Sequence, residues 1–219
     1  MKARPGAARC NIDFMGFYDR HVLPRIVHLA CSTRPAMRQR GKVVPRAHGE
    51  VLEIGVGSGL NLPFYDAEKV RKVWGLEPSP EMIEMAGKVA EPLPLEVEFI
   101  PLPGHELPLE DDSVDTVLTT YTLCTIPDTA EVLEQARRVL RPGGELIFCE
   151  HGRAPDRWVR RQQDFINPAW SWLGGGCNLN RVIPGLLAEG GFEVRQLDTM
   201  YIPGWRPACF NYWGSAVPR

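Results

Sequence analysis

The segment that most constrains this chain is Val51-Leu52-Glu53-Ile54-Gly55-Val56-Gly57-Ser58-Gly59. A short apolar run, suited to a buried strand, ends in three glycines at alternate positions. Glycine lets a backbone turn tightly and approach a ligand closely. A helix expected after the loop would offer free N–H groups, so the pattern is that of a nucleotide site at the carboxyl end of a strand. The spacing separates it from dinucleotide folds, which use Gly-x-Gly-x-x-Gly and seat a pyrophosphate on the helix end. Here an acid stands two residues before the first glycine. A carboxylate at the strand end would repel phosphate and suits a cationic ligand group.

The rest of the chain alternates strand and helix patterns. Residues 12–32 read as a helix with an apolar stripe, weakened or kinked at Pro24. Residues 33–49 are basic and rich in proline and glycine, and read as a connector with one helical turn at 36–40. After the glycine loop and its helix, Lys72–Glu77 is a second strand. Ser79-Pro80-Glu81 then opens a helix, with serine as N-cap and proline in the first turn. Strands are expected at 96–100, 114–119 and 145–150, and helices at 128–140, 157–172 and 180–189. Strands at 192–198 and 208–215 end the chain with no helix between them, so they should pair antiparallel around Pro203-Gly204-Trp205. The last strand, with Asn211, Tyr212 and Trp213, is expected near the surface. Strands alternating with helices imply a parallel sheet covered on both faces.

Composition excludes some alternatives. With 44% hydrophobic and 24% charged residues, the chain is neither disordered, collagenous nor coiled coil. Its apolar runs are too short to span a bilayer, and no apolar stretch follows the basic residues 1–9 as a secretory signal would require. The net charge of -2 hides an asymmetry: residues 1–50 hold ten Lys and Arg against three acids, +7, leaving −9 for the remainder. The six cysteines form no Cys-x-x-Cys pair and no Cys/His group with zinc spacing. They read as reduced, packed thiols, and no metal is expected.

Glu77 ends the second strand, where a carboxylate can accept hydrogen bonds from two ribose hydroxyls. A ligand with a ribose and an ammonium group but no phosphate describes S-adenosylmethionine. Val51–Gly59, Leu76-Glu77-Pro78-Ser79, Leu107-Pro108-Leu109-Glu110-Asp111, Val114-Asp115 and Arg138–Gly144 together resemble the consecutive motifs of class I S-adenosylmethionine-dependent methyltransferases. The resemblance implies an α/β, Rossmann-like fold with helices on both faces of a seven-stranded sheet. The implied order is 3-2-1-4-5-7-6, with strand 7 antiparallel. It also implies an N-terminal helical cap over residues 1–48 and a cofactor-binding domain over 49–219. Thr122–Pro127, Glu150-His151, Asn167–Trp170 and Gly176–Leu179 further resemble the family of alkyl-thiol methyltransferases and their bacterial relatives. That likeness implies a small, apolar methyl acceptor: a thiol, or a quinone, phenol or lipid amine.

The class implies roles by position. Glu53 faces the methionyl amino group, directly or through water. Gly55, Gly57 and Gly59, with Asn61, line the methionyl and ribose moieties. Glu77 takes the ribose hydroxyls, with Pro78 and Met82 near the adenine. His105, Glu106 or the backbone around Leu107 stands where relatives bind the adenine amine. Thr120 and Tyr121 lie at the carboxyl edge of strand four, and Tyr18 matches a lid position. His151, at the end of strand five, is the candidate base or orienting group beside the acceptor. Cys124, Asp164, Trp170, Asn178 and Tyr201 are candidates for the acceptor pocket. Trp158, Phe165, Trp170 and Trp172 are expected as core or pocket wall rather than a recognition surface.

Rival functions are less well supported. A nucleic-acid methyltransferase would want a basic body, and this body is acidic. A nicotinamide-dependent dehydrogenase is opposed by the glycine spacing and by the lack of a Tyr-x-x-x-Lys motif. A non-catalytic S-adenosylmethionine-binding protein keeps the same loop. The expected location is cytoplasmic, or peripheral to a membrane that the basic N-terminus touches.

Overall fold

A computed structural model of the chain describes residue 18 and residues 22–103 and 107–219. Strand β1 (Gly49–Ile54) lies parallel to β2 (Val70–Leu76) on one side and to β4 (Val114–Thr120) on the other. Strand β3 (Glu96–Ile100) continues the sheet beyond β2, and β5 (Leu140–His151) continues it beyond β4, both parallel. Strand β7 (Phe210–Pro218) runs antiparallel to β5, and β6 (Phe192–Tyr201) runs antiparallel to β7. The order is β3-β2-β1-β4-β5-β7-β6. The final pair is antiparallel because eight residues, too few for a crossover helix, join its strands. The last strand is not a surface strand, as the sequence suggested. β7 inserts between β5 and β6, Asn211 is fully buried, and β6 is the edge.

Alternate strand residues face opposite sides of the sheet. Leu52 and Ile54 join a core cluster with Val117, Leu146 and Phe148, while Val51 joins a second with Val73, Leu118 and Ile147. On the first face, helix α4 (Thr129–Val139) supplies Val132, Leu133, Ala136 and Val139, and α6 (Ile183–Glu189) supplies Ile183 and Leu187. These spacings of three and four residues form the apolar stripe that holds a helix to a sheet. Among the described residues the remaining α-helices are α1 (Leu23–Cys31), α2 (Arg34–Val43), α3 (Pro80–Ala90) and α5 (Arg157–Leu173).

Three local expectations change. Of the helix expected over 12–32, α1 is described, with Pro24 in its first turn, where its missing N–H is not needed; most of the residues before it lie outside the described ones. The basic connector contains the ten-residue α2, begun by Pro35 in the same way. Its buried positions Ala36, Gln39, Arg40 and Val43 follow helical spacing and pack toward β5, so tertiary burial holds a segment of poor apolar content as a helix. After the glycine loop only a 3-10 turn forms, Leu62–Phe64, with Pro63 inside it. The helix expected at 180–189 begins at Ile183. The start of α3 is as expected: Ser79 Oγ accepts a hydrogen bond from the Met82 N–H at 3.3 Å.

Candidate functional site

An open cavity of about 370 Å³ lies at the carboxyl ends of β1, β2 and β4. One wall is the glycine loop. Gly55 has φ +71°, and a Cβ built there would stand 2.4 Å from Thr122 Cγ2, so no side chain fits. Gly57 has φ +53° with open space beside it. Glu77 follows β2 and holds the loop. Its Oε2 accepts from the Gly57 N–H at 3.1 Å and its Oε1 from the Ser79 N–H at 3.0 Å. Burial pushes the Glu77 pKa up, against the pull of these two backbone donors. Pro78, Ser79 and Met82 extend the wall.

Helix α1 forms the opposite wall through Leu23, Pro24, Val27, His28 and Cys31, joined by Gly174 and Gly175 after α5. His28 Nδ1 and Ser58 Oγ lie 2.7 Å apart, which ties this helix to the glycine loop. A Cβ at Gly175 would meet Leu23 at 2.5 Å, so the small residue allows α1 to approach.

Arg40 of α2 reaches the same cavity and is only 5% exposed. Its Nη1 donates to Asn61 Oδ1 at 2.8 Å and to Thr120 Oγ1. Its Nε is buried with no partner, and its guanidinium lies 5.1 Å from the Tyr121 ring centre. Beneath this group Glu53 is 1% exposed. Glu53 accepts from Asn61 Nδ2 at 2.8 Å and from the Tyr65 hydroxyl at 2.7 Å. Burial pushes its pKa up to about 7, although these bonds and the Arg40 charge pull the other way.

The segment after β4 is strained and braced. Tyr121 has φ +54°, a left-handed conformation that costs a residue with a side chain about 1 kcal/mol or more. Its N–H is taken by the Cys149 carbonyl at 2.9 Å and its hydroxyl donates to Asn211 Oδ1 at 2.6 Å. The buried Glu150 carboxylate accepts from the N–H groups of Thr122 at 3.0 Å and Leu123 at 3.2 Å and from the Thr119 hydroxyl at 3.0 Å.

Of the residues picked out in the sequence, Gly55, Gly57, Glu77, Pro78, Met82, Thr120 and Tyr121 line the cavity. Gly59, Asn61 and Glu53 stand behind that wall, and Leu107 is buried in the core, where Arg138 Nη2 donates to its carbonyl at 3.0 Å. His105 and Glu106 lie outside the described residues. The Tyr18 hydroxyl donates to the Leu173 carbonyl at 2.7 Å, at the end of α5 rather than on the cavity wall.

The acceptor-pocket candidates are also off the wall. Asp164 pairs with Arg153 and Asn180 at the surface. The Tyr201 hydroxyl donates to Asp156. Asn178 donates to the Cys124 and Gly176 carbonyls. Cys124 is buried, and the Trp170 indole N–H points at Cys177 Sγ, 3.4 Å away. His151 stacks on Tyr121 with ring centres 6.4 Å apart, its Nε2 lies 3.3 Å from Cys177 Sγ, and its Nδ1 is buried without a partner. Trp158, Phe165 and Trp172 are neither core nor pocket wall. They are 52%, 87% and 65% exposed on one face of α5.

Sequence reasoning missed Arg40 and His28, both within the basic segment, and the brace formed by Glu150. No short motif marks Arg40 or His28, and the Glu150-His151 pair carries no sign of the bracing role. A helical reading of residues 34–43 would have put Arg40 on the buried face.

Residues 52–148 match the family model described as a methyltransferase domain. The chain is 36% identical over 178 residues to the human thiol S-methyltransferase TMT1B, covering 78% of this chain and 72% of that protein. It is 34% identical over 122 residues to a phosphatidylethanolamine N-methyltransferase of Cereibacter sphaeroides, covering 55% of this chain and 59% of that one. Among solved structures, the YcgJ protein of a Bacillus superposes with a TM-score of 0.67 at 16% identity, covering 83% of this chain and 98% of that one, a likeness of fold.

Proposed function

The chain belongs to the class I S-adenosylmethionine-dependent methyltransferases, and we propose that its acceptor is a small apolar thiol bound between α1 and the glycine loop. The sulfonium of S-adenosylmethionine supplies an already activated methyl group, so the protein's task is to hold the acceptor in line and exclude water. The observation that carries the acceptor class is the cavity wall of Leu23, Pro24, Val27 and the glycines 174 and 175, which offers apolar surface and no anion. The likeness to thiol S-methyltransferases over 78% of the chain favours a thiol within that class.

The residues divide the work. Glu77 receives the ribose hydroxyls, already aimed by the Gly57 and Ser79 amides. Arg40, a buried cation with an unpartnered Nε on the cavity wall, receives the carboxylate of the methionyl tail. Glu53 acts through Asn61 and Tyr65 and is a positioning residue. A thiol must lose its proton before its sulfur forms the new C–S bond. His28 lines the cavity and takes that proton, a role assigned to it rather than to His151, which is not among the lining residues.

The test is formation of S-adenosylhomocysteine with a panel of alkyl thiols, quinols, phenols and aminolipids. Turnover should be highest with thiols, and His28→Gln should lower it by about 100-fold or more near neutral pH. Preferred turnover of an aminolipid would overturn the thiol reading in favour of the second relative's chemistry.

The proposal extends to contact with an anionic membrane surface. The excess of +7 over residues 1–50 supports it, as do Ile26 and Leu29 exposed on α1 and the aromatic stripe on α5. Among the described residues no helix is long and apolar enough to cross a membrane. Pelleting with vesicles that contain anionic lipid should fall as salt rises. Equal pelleting with neutral vesicles would sink this part.

A further inference from the structure

Three thiol and imidazole groups that the methyl-transfer reading leaves unused meet behind the cavity wall. Cys124 comes from the turn after β4, His151 from the end of β5 and Cys177 from the loop after α5. Their ligating atoms all lie within 4.8 Å of one another. The sulfurs of Cys124 and Cys177 are 3.8 Å apart, and Cys177 Sγ is 3.3 Å from His151 Nε2. Cys124 and His151 are buried and Cys177 is half-buried.

We propose that Cys124, His151 and Cys177 form a binding site for one thiophilic divalent cation of the zinc type, with a fourth position left for water or another donor. The distances argue for it. Zinc binds sulfur at about 2.3 Å and imidazole nitrogen at about 2.0 Å, so a tetrahedral site has S–S edges of about 3.8 Å and S–N edges of about 3.5 Å. Two of the three edges, at 3.8 and 3.3 Å, already lie near those values, and the third, Cys124–His151, is within 4.8 Å.

Chemistry and surroundings agree. Two thiolates neutralise a divalent cation, so the complex can be buried without a net charge, and thiolate with imidazole selects a soft or borderline metal over magnesium or calcium. Each thiol gives up its proton to solvent as the metal–sulfur bond forms. The Trp170 indole N–H, 3.4 Å from Cys177 Sγ, is the kind of donor that steadies a metal-bound thiolate from outside the ligand shell.

The position gives the site a consequence. Cys177 follows Gly174 and Gly175, and Cys124 precedes Thr125, all three of which line the cavity. A bound cation would fasten the loop after α5 to the end of β5, next to the wall that faces the glycine loop. This rests on the cavity geometry and not on the identity of the acceptor.

The experiment is metal titration of the full chain, reduced and stripped with chelator, with zinc against a chromophoric competitor and with cobalt for its spectrum. One zinc per chain should bind, and cobalt should give tetrahedral d–d bands with a sulfur-to-metal charge-transfer band. Cys177→Ser and His151→Gln should each weaken binding by more than about 100-fold, and Trp170→Phe by about tenfold. Cys209→Ser should leave it unchanged. S-adenosylmethionine affinity, measured separately by calorimetry, should be the same with and without zinc, so its loss would count against the cofactor site and not this one. Lack of a charge-transfer band, binding that survives both ligand substitutions, or a Cys124–Cys177 disulfide that forms while the reduced protein takes up no metal would each overturn the proposal.

Discussion

The two walls of the cavity are built by different rules. The glycine-loop wall comes from residues 55–82, contiguous but for one strand, and its ligand-facing groups are backbone amides and a carboxylate aimed by them. The facing wall is assembled from α1, α2, the turn after β4 and the loop after α5, which are distant in sequence. The first wall is rigid because each glycine has a conformation or clearance that other residues lack. The second is held by side chains, through His28 to Ser58, Arg40 to Asn61 and Thr120, and Glu150 to the Thr122 and Leu123 amides. Substitutions should therefore act abruptly in the first wall and by degrees in the second.

The largest effect is expected at Gly55. Alanine there adds a Cβ 2.4 Å from Thr122 and forces φ +71° on a residue that resists it. Unfolding free energy should drop by about 2 kcal/mol or more and S-adenosylmethionine affinity by about 100-fold. Gly57→Ala shares a positive φ but meets only the Gly55 carbonyl at 4.0 Å, so it should cost less. Equal losses from the two, measured by urea unfolding and calorimetry, would break the idea that clearance matters in this wall.

Arg40→Met should come next. It removes the buried guanidinium and keeps most of the side-chain volume. KM for S-adenosylmethionine should rise by about 10- to 100-fold, the worth of a hydrogen-bonded ion pair, with kcat changed less. A fall in kcat with KM unchanged would place Arg40 beside the acceptor instead.

The last prediction, and the most diagnostic, concerns how stability varies with pH through Glu53. Its pKa is about 7 in the fold against an ordinary 4.5, so between these values the native state holds a proton that the unfolded chain has released. Stability from this group is therefore full below about pH 4.5, falls as pH rises to about 7 and is flat above it. The fall amounts to about 3 kcal/mol. Glu53→Gln should flatten the stability profile across that window in urea unfolding. Parallel profiles for the two proteins would show that Arg40 keeps the carboxylate ionised.

Much of the first wall was legible in the sequence. Val51–Gly59, Glu77 and the Ser79 cap are short-range patterns whose geometry follows from glycine freedom, strand ends and helix capping. One inference there overreached. A helix after the loop was expected, but Pro63 and the pull of Glu53 on Asn61 and Tyr65 leave only a 3-10 turn. The second wall was largely illegible. Pocket candidates chosen by proximity to motifs, such as Asp164 and Tyr201, sit in surface pairs, because a residue's side of a helix or sheet edge depends on packing.

The opening feature and the alternation of patterns were enough to determine the sheet, its order through the family likeness, and the cofactor. These rest on interactions between residues close in sequence or on a backbone conformation only glycine tolerates. Tertiary structure alone decided that the basic segment is not merely a solvated cap. Burial against the sheet folds residues 34–43 into α2 and carries Arg40, a charge that composition would assign to water, into the cavity. It also brought Cys124, His151 and Cys177 together across more than fifty residues of chain, because a parallel sheet aligns the ends of its strands whatever their separation in sequence.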